Sequence, residues 1–91
     1  MKKDVMLVTG AGQISMAIAR RIGYGMKIVM GDKNIENANA IAGIMNSAGF
    51  DVTPVEMDLS SRDSIKNLIE TAMEYGDIKM LVNGAGVSPS Q

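Results

Sequence analysis

Short apolar runs alternate with segments of helical periodicity along the whole chain, and this alternation restricts the possible folds more than any other feature. Residues 5–9, 26–30, 50–57 and 78–82 form four such runs. The pattern is that of strands buried on both faces. Between them, Ile14, Ala17, Ile18 and Ile22 repeat at helical spacing, as do Ile35, Ala38, Ile41, Ala42, Met45 and Ala48, and then Ile65, Leu68, Ile69, Ala72 and Met73. Gly23 with Gly25, Gly49 and Gly76 supply the stops. Asn34 offers a side-chain oxygen to cap the second helix, and Ser60 with Asp63 makes a capping pair for the third. Parallel strands need helical crossovers, not tight hairpins, so strict alternation predicts an α/β fold with a parallel sheet of four strands and three helices. Pro54 cannot donate to a ladder, which puts the third strand at or near the sheet edge.

The chain of 91 residues predicts a single domain over residues 1–91 with one modest core. Nine basic against ten acidic residues leave a net charge of −1, without the basic field that holds nucleic acid or anionic lipid. With no cysteine and no histidine, disulfides, thiolate or imidazole metal ligands, a Cys nucleophile and a His base are all excluded. Carboxylates, Lys, Tyr and hydroxyls remain for chemistry, and no metal site is predicted. Lys2 and Lys3 precede an apolar run that Asp4 interrupts, which reads as a first strand and not as a secretory signal. Without an apolar stretch near membrane-spanning length, the expected location is cytoplasmic. The nine methionines read as adaptable core filler.

Thr9-Gly10-Ala11-Gly12-Gln13-Ile14-Ser15 falls between the first strand and the first helix, where a dinucleotide fold places its phosphate turn. Gly10 would permit the tight turn and Gly12 the approach of backbone to pyrophosphate, whose charge meets unpaired N–H groups at the helix start. A glycine-rich turn after a strand is often only a turn. Asp32, at the end of the second run and 22 positions after Gly10, adds the acid that would accept hydrogen bonds from an adenosine ribose. Taken alone, Asp32 beside Lys33 would read as a solvated turn; the combination favours ribose binding.

With VTGAGQI, GDK, MDLS and NGAG in this order, the sequence resembles the short-chain dehydrogenase/reductase family over essentially its whole length. The resemblance implies a Rossmann-like three-layer fold, truncated, with strand order 3-2-1-4. The first two helices would lie on one face and the third on the other. It also implies a nicotinamide dinucleotide cofactor, with Gly10, Gly12, Gln13 and Ile14 at the pyrophosphate and Asp32 and Lys33 at the ribose. Asp58 and Leu59 would bracket the adenine, and the turn of Asn83, Gly84, Ala85 and Gly86 would approach the cofactor. Thr9 would hydrogen-bond to that turn. The charge of Asp32 would repel a 2′-phosphate and favours NAD, while Lys33 leaves NADP open.

Two departures stand out. The family's TGxxxGxG turn has Ile14 and Met16 at its later glycine positions, so the match is to GxGxxG, with Ser15 as the third residue. The family's catalytic Ser and Tyr-x-x-x-Lys pair have no counterpart here. Tyr75-Gly76-Asp77-Ile78-Lys79 has the spacing, but Gly76 should end the helix that would align both side chains. The resemblance therefore assigns this chain the cofactor-binding portion of an oxidoreductase and no catalytic residue. The alternatives are a non-catalytic dinucleotide-binding module, a truncated product, or a fragment of an S-adenosylmethionine-dependent methyltransferase. The methyltransferase reading is weakened because NGAGVSP resembles the dehydrogenase turn more closely. An open fourth-strand edge and a partly bare sheet face predict a homo-oligomer.

Overall fold

The structure, a computed structural model, describes residues 4–10, 17, 20–21, 24–58 and 60–83. Strands β1 (Val5–Thr9), β2 (Lys27–Asp32), β3 (Asp51–Glu56) and β4 (Ile78–Asn83) form one four-stranded sheet in the order β3-β2-β1-β4. All three pairings are parallel. Strand β2 runs past the predicted Met30 because Gly31 continues the ladder against Thr9 and Val55, and Asp32 against Glu56. Helices α1 (Ile35–Ser47) and α2 (Arg62–Tyr75) are the crossovers that follow β2 and β3. The described residues thus contain two full helices where the sequence predicts three. Of the predicted first helix, Ala17, Arg20 and Arg21 are helical and exposed, and Ile14, Ile18 and Ile22 lie outside the described residues.

Alternate side chains of each strand point to opposite faces. Met6, Val8, Ile28, Met30 and Val52 pack against Ala38, Ala42 and Met45 of α1. On the other face Val5, Leu7 and Val29 meet Met57 and the α2 residues Leu68 and Ala72. Both faces of the inner strands are therefore buried, which is why those strands read as continuous apolar runs. Met6, Met30, Met45 and Met57 are among the largest fully buried side chains, so methionine does fill this core.

The predicted stripe of α2 is wider than the face it buries. Leu68 and Ala72 are buried, whereas Ile69 and Met73 are 39% and 56% exposed, because α2 packs over β1 and β2. Leu81, on the edge strand β4, is 63% exposed. Ala48, predicted on the buried stripe of α1, is exposed and serves as its C-cap. Among the described residues no helix is long and apolar enough to cross a membrane.

Asn34 caps α1 as its sequence position predicts, accepting from Asn37 N at 3.1 Å. The predicted Ser60 cap of α2 is displaced by one residue. Ser61 is the cap, accepting from Ser64 N at 3.2 Å, because Ser60 spends both its N–H and its hydroxyl on Asp58. The edge position of Pro54 is also borne out. Pro54 shares its phase along β3 with Val52, whose N–H points away from β2 to the side chain of Asn46. A missing N–H at Pro54 therefore removes nothing from the ladder.

Candidate functional site

The carboxyl ends of the four parallel strands lie along one edge of the sheet, where open α/β sheets bind ligands. Thr9 ends β1 opposite Gly31 on one side and Asn83 on the other. Thr9 is 8% exposed, and its register places it against the residue that opens the NGAG motif. Gly10 leaves the strand with φ +87°, a left-handed conformation that an L side chain resists, and its N–H donates to Gly31 O at 2.6 Å. The first glycine of the motif is thus required by backbone geometry, and it anchors the turn to β2.

Asp32 ends β2, half-exposed, in the turn leading to α1. Its Oδ1 accepts from Asn34 N at 3.1 Å, and its Oδ2 lies 3.5 Å from Asn37 Nδ2. The carboxylate is oriented by the same residues that start the helix. Across the ladder, Glu56 is its register partner at the end of β3.

A cavity of about 350 Å³ opens beside these strand ends, bounded by Lys33, Glu56, Met57, Asp58 and Ser64. Met57 is buried and supplies its apolar element. Asp58 is held from several sides. Its Oδ1 accepts from Ser60 N at 2.9 Å and Ser60 Oγ at 2.7 Å, its N–H donates to Ser64 Oγ at 2.9 Å, and its carbonyl accepts from Ser61 N at 3.0 Å. The two bonds from Ser60, the backbone one foremost, hold the Asp58 carboxyl below its ordinary pKa against an opposing effect of desolvation, and the charge of Lys33 adds a lesser lowering. Among the described residues Oδ2 has no hydrogen-bond partner. The site therefore offers one ionised, pre-oriented acceptor next to an apolar wall.

Of the residues predicted from sequence, the structure brings Gly10, Asp32, Lys33, Asp58 and the backbone of Asn83 to this one edge. Gly12, Gln13, Ile14, Leu59, Gly84, Ala85 and Gly86 lie outside the described residues. Sequence reasoning missed Glu56, Ser60 and Ser64. Ser60 and Ser64 had a legible signal, since Asp58 is followed by hydroxyl residues two and six positions later, but the sequence reading makes Ser60 only a cap and gives Ser64 no role. Tyr75 and Lys79 do not form a pair. Helix α2 ends at Tyr75, Lys79 is in β4, and the Tyr75 ring lies 4.3 Å from the Nζ of Lys27 at the opposite end of the sheet.

A parallel sheet of order 3-2-1-4, with helices on both faces and acidic residues at the ends of its second and third strands, defines a Rossmann-like nucleotide-binding fold. Residues 4–91 match the short chain dehydrogenase family, and the chain belongs to that family. Its relatives include the short-chain dehydrogenase/reductase bsc3 of Alternaria brassicicola, 35% identical over 98% of this chain and 32% of that protein. The 7alpha-hydroxysteroid dehydrogenase of Bacteroides fragilis is 39% identical over 93% of this chain and 34% of its own length. Among solved structures, a short-chain dehydrogenase/reductase from Burkholderia phymatum in complex with NAD superposes with TM-score 0.78 at 28% identity, covering 88% of this chain and 30% of that one. The chain spans about a third of the length of these relatives.

Proposed function

We propose that this chain forms the adenosine-binding side of a nicotinamide dinucleotide site in an oxidoreductase. The observation that carries the reading is the convergence of Asp32, Asp58 and a cavity of about 350 Å³ at the carboxyl ends of adjacent parallel strands. That volume is within the range of small-ligand sites, and an apolar wall beside a carboxylate acceptor suits a purine carrying an amino group. Asp32 would accept from the ribose hydroxyls. Lys33 would lie beside the ribose, and Asp58 and Leu59 would hold the adenine, with Oδ2 of Asp58 accepting from its 6-amino group. Gly10, Gly12, Gln13 and Ile14 would meet the pyrophosphate, and Asn83, Gly84, Ala85 and Gly86 would approach the remainder of the cofactor.

When bound, the nicotinamide would accept hydride from an alcohol substrate or deliver it to a carbonyl substrate. The residues of this chain bind and orient, and none is assigned a part in proton transfer. NAD is preferred over NADP in this reading. Asp32, its register partner Glu56 and Asp58 place three carboxylates against one Lys33, a balance unfavourable to a 2′-phosphate. The exposed Leu81 on edge strand β4 supports self-association, which sedimentation would detect.

Calorimetric titration of the protein with NAD, NADP and S-adenosylmethionine tests the reading. Saturable NAD binding that is lost in Asp32→Ala, with weaker NADP binding to the unmutated protein, is expected. Binding of S-adenosylmethionine in place of NAD would refute it.

A further inference from the structure

Asp58 follows the last residue of β3 by two positions and precedes the cap of α2 by three, so it sits in a connection, not in a ladder. A side chain there aims reproducibly only if the backbone beneath it is held. Ser60 holds the carboxylate. The peptide of Asp58 is held by Ser64, whose hydroxyl accepts its N–H at 2.9 Å. Ser64 occupies the third position of α2, where a capping-box side chain would ordinarily reach back to the N–H of the cap residue. Here the side chain reaches past the cap to Asp58, while the backbone N–H of Ser64 bonds the cap Ser61 at 3.2 Å. Helix α2 is itself seated on the sheet through Leu68 and Ala72, both fully buried. A continuous rigid path therefore runs from the core, through the first turn of α2, to the backbone of Asp58. Ser64 also bounds the cavity that Asp58 lines.

We propose that Ser64 is a positioning residue that sets the purine selectivity of this cavity by holding Asp58 against the first turn of α2. This rests on the reading of the cavity as the adenine site. Ser64 makes no contact with the ligand in this role. It keeps Oδ2 of Asp58 where an exocyclic amino group can donate to it, and loss of the Ser64 acceptor frees the Asp58 peptide to rotate.

The test compares binding of NAD with nicotinamide hypoxanthine dinucleotide, in which a 6-carbonyl replaces the 6-amino group. Removing an amino group that donates to a charged acceptor weakens binding roughly tenfold, so the wild-type protein is expected to prefer NAD by about that factor. Ser64→Ala is expected to narrow the preference to about twofold or less, from the loss of an oriented acceptor. Ser64→Thr, which keeps the hydroxyl, should retain the preference. Ser61→Ala removes the helix cap but leaves the Ser64–Asp58 bond, so it should lower the melting temperature and leave the preference intact. Should Ser64→Ala fail to fold, Ser64→Cys keeps the size with a weaker acceptor and is expected to narrow the preference as well.

An unchanged preference in Ser64→Ala overturns the role of Ser64 and leaves the adenine reading standing. Equal narrowing in Ser61→Ala overturns it too, by showing that any loosening of α2 has the same effect. A wild-type protein without preference for the amino-bearing purine refutes the adenine reading, and the role of Ser64 falls with it.

Discussion

Gly31 and Leu68 meet so closely that a Cβ placed on Gly31 would stand 2.7 Å from Cδ2 of Leu68 and 3.1 Å from its Cδ1. Leu68 is 1% exposed and cannot swing into solvent, and Met57 Cβ, 3.2 Å from the same point, closes the other side. This contact seats α2 against the end of β2, directly behind Asp32 and the cavity. Gly31→Ala is therefore expected to destabilise the protein by about 1–3 kcal/mol through overpacking. In a Leu68→Ala background the same substitution should cost less, because the space it needs is already open. Denaturant unfolding of the four proteins measures the coupling, and additive losses would show that Leu68 is not what Gly31 accommodates.

Asn46 protects the outer edge of the sheet. Its Nδ2 donates to Val52 O at 3.1 Å and its Oδ1 accepts from Val52 N at 2.8 Å, so the amide replaces a neighbouring strand at one position of β3. Asn46→Ala leaves both groups of the buried Val52 backbone without that partner and should lower stability by about 1–3 kcal/mol. A loss below about 0.5 kcal/mol would mean that solvent replaces the amide without penalty.

At the amino end of the sheet, Lys27 joins three elements. Its Nζ donates to Asp51 Oδ1 at 3.0 Å and to the Thr53 hydroxyl, and it lies 4.3 Å from the centre of the Tyr75 ring. The Lys27 side chain is only 10% exposed, so little water screens these contacts, although Asp51 at 44% remains solvated. Lys27→Met should cost about 2 kcal/mol from loss of charged hydrogen bonds. Tyr75→Phe keeps the ring face and should change stability by less than about 0.5 kcal/mol, whereas Tyr75→Ala should cost about 1 kcal/mol. A large loss of NAD binding in Tyr75→Phe would contradict the assignment of Tyr75 to this clasp.

Acid should weaken the fold through Asp58. Its pKa is depressed in the folded protein, chiefly by the N–H and hydroxyl of Ser60, so its stabilising contribution is present above the unfolded-state pKa. That contribution is lost as pH falls through the lower, folded-state value. Ser60→Ala removes the hydroxyl bond and keeps the backbone one, and should move the Asp58 midpoint upward toward the ordinary carboxylate value. Carbon-detected NMR titration of the Asp58 carboxyl measures this, and an unmoved midpoint would assign the whole depression to the backbone bond and Lys33.

The sequence was enough to read the four strands, the parallel sheet, the Asn34 cap and the edge position of Pro54. Each follows from local chemistry: apolar runs, helical spacing, a side-chain oxygen before a helix, and a residue without an N–H. The strand order came from the family resemblance and was found as implied. Of the expected site residues, Gly10 and Asp32 were legible from a glycine after the first strand and an acid after the second, and Asp58 from the family resemblance alone. Only the tertiary structure decided how such residues are held. Ser60 reads as a cap until Asp58 claims its donors, and Ser64 shows no role until the first turn of α2 is folded beneath the β3 end. Lys27 and Tyr75 meet across 48 positions that no local pattern relates. Ile69 and Met73 continue an apolar stripe but stay partly exposed, since burial depends on which strands a helix covers. Periodicity reports which face of an element is apolar. Packing determines how much of that face is covered and which polar groups are left to meet.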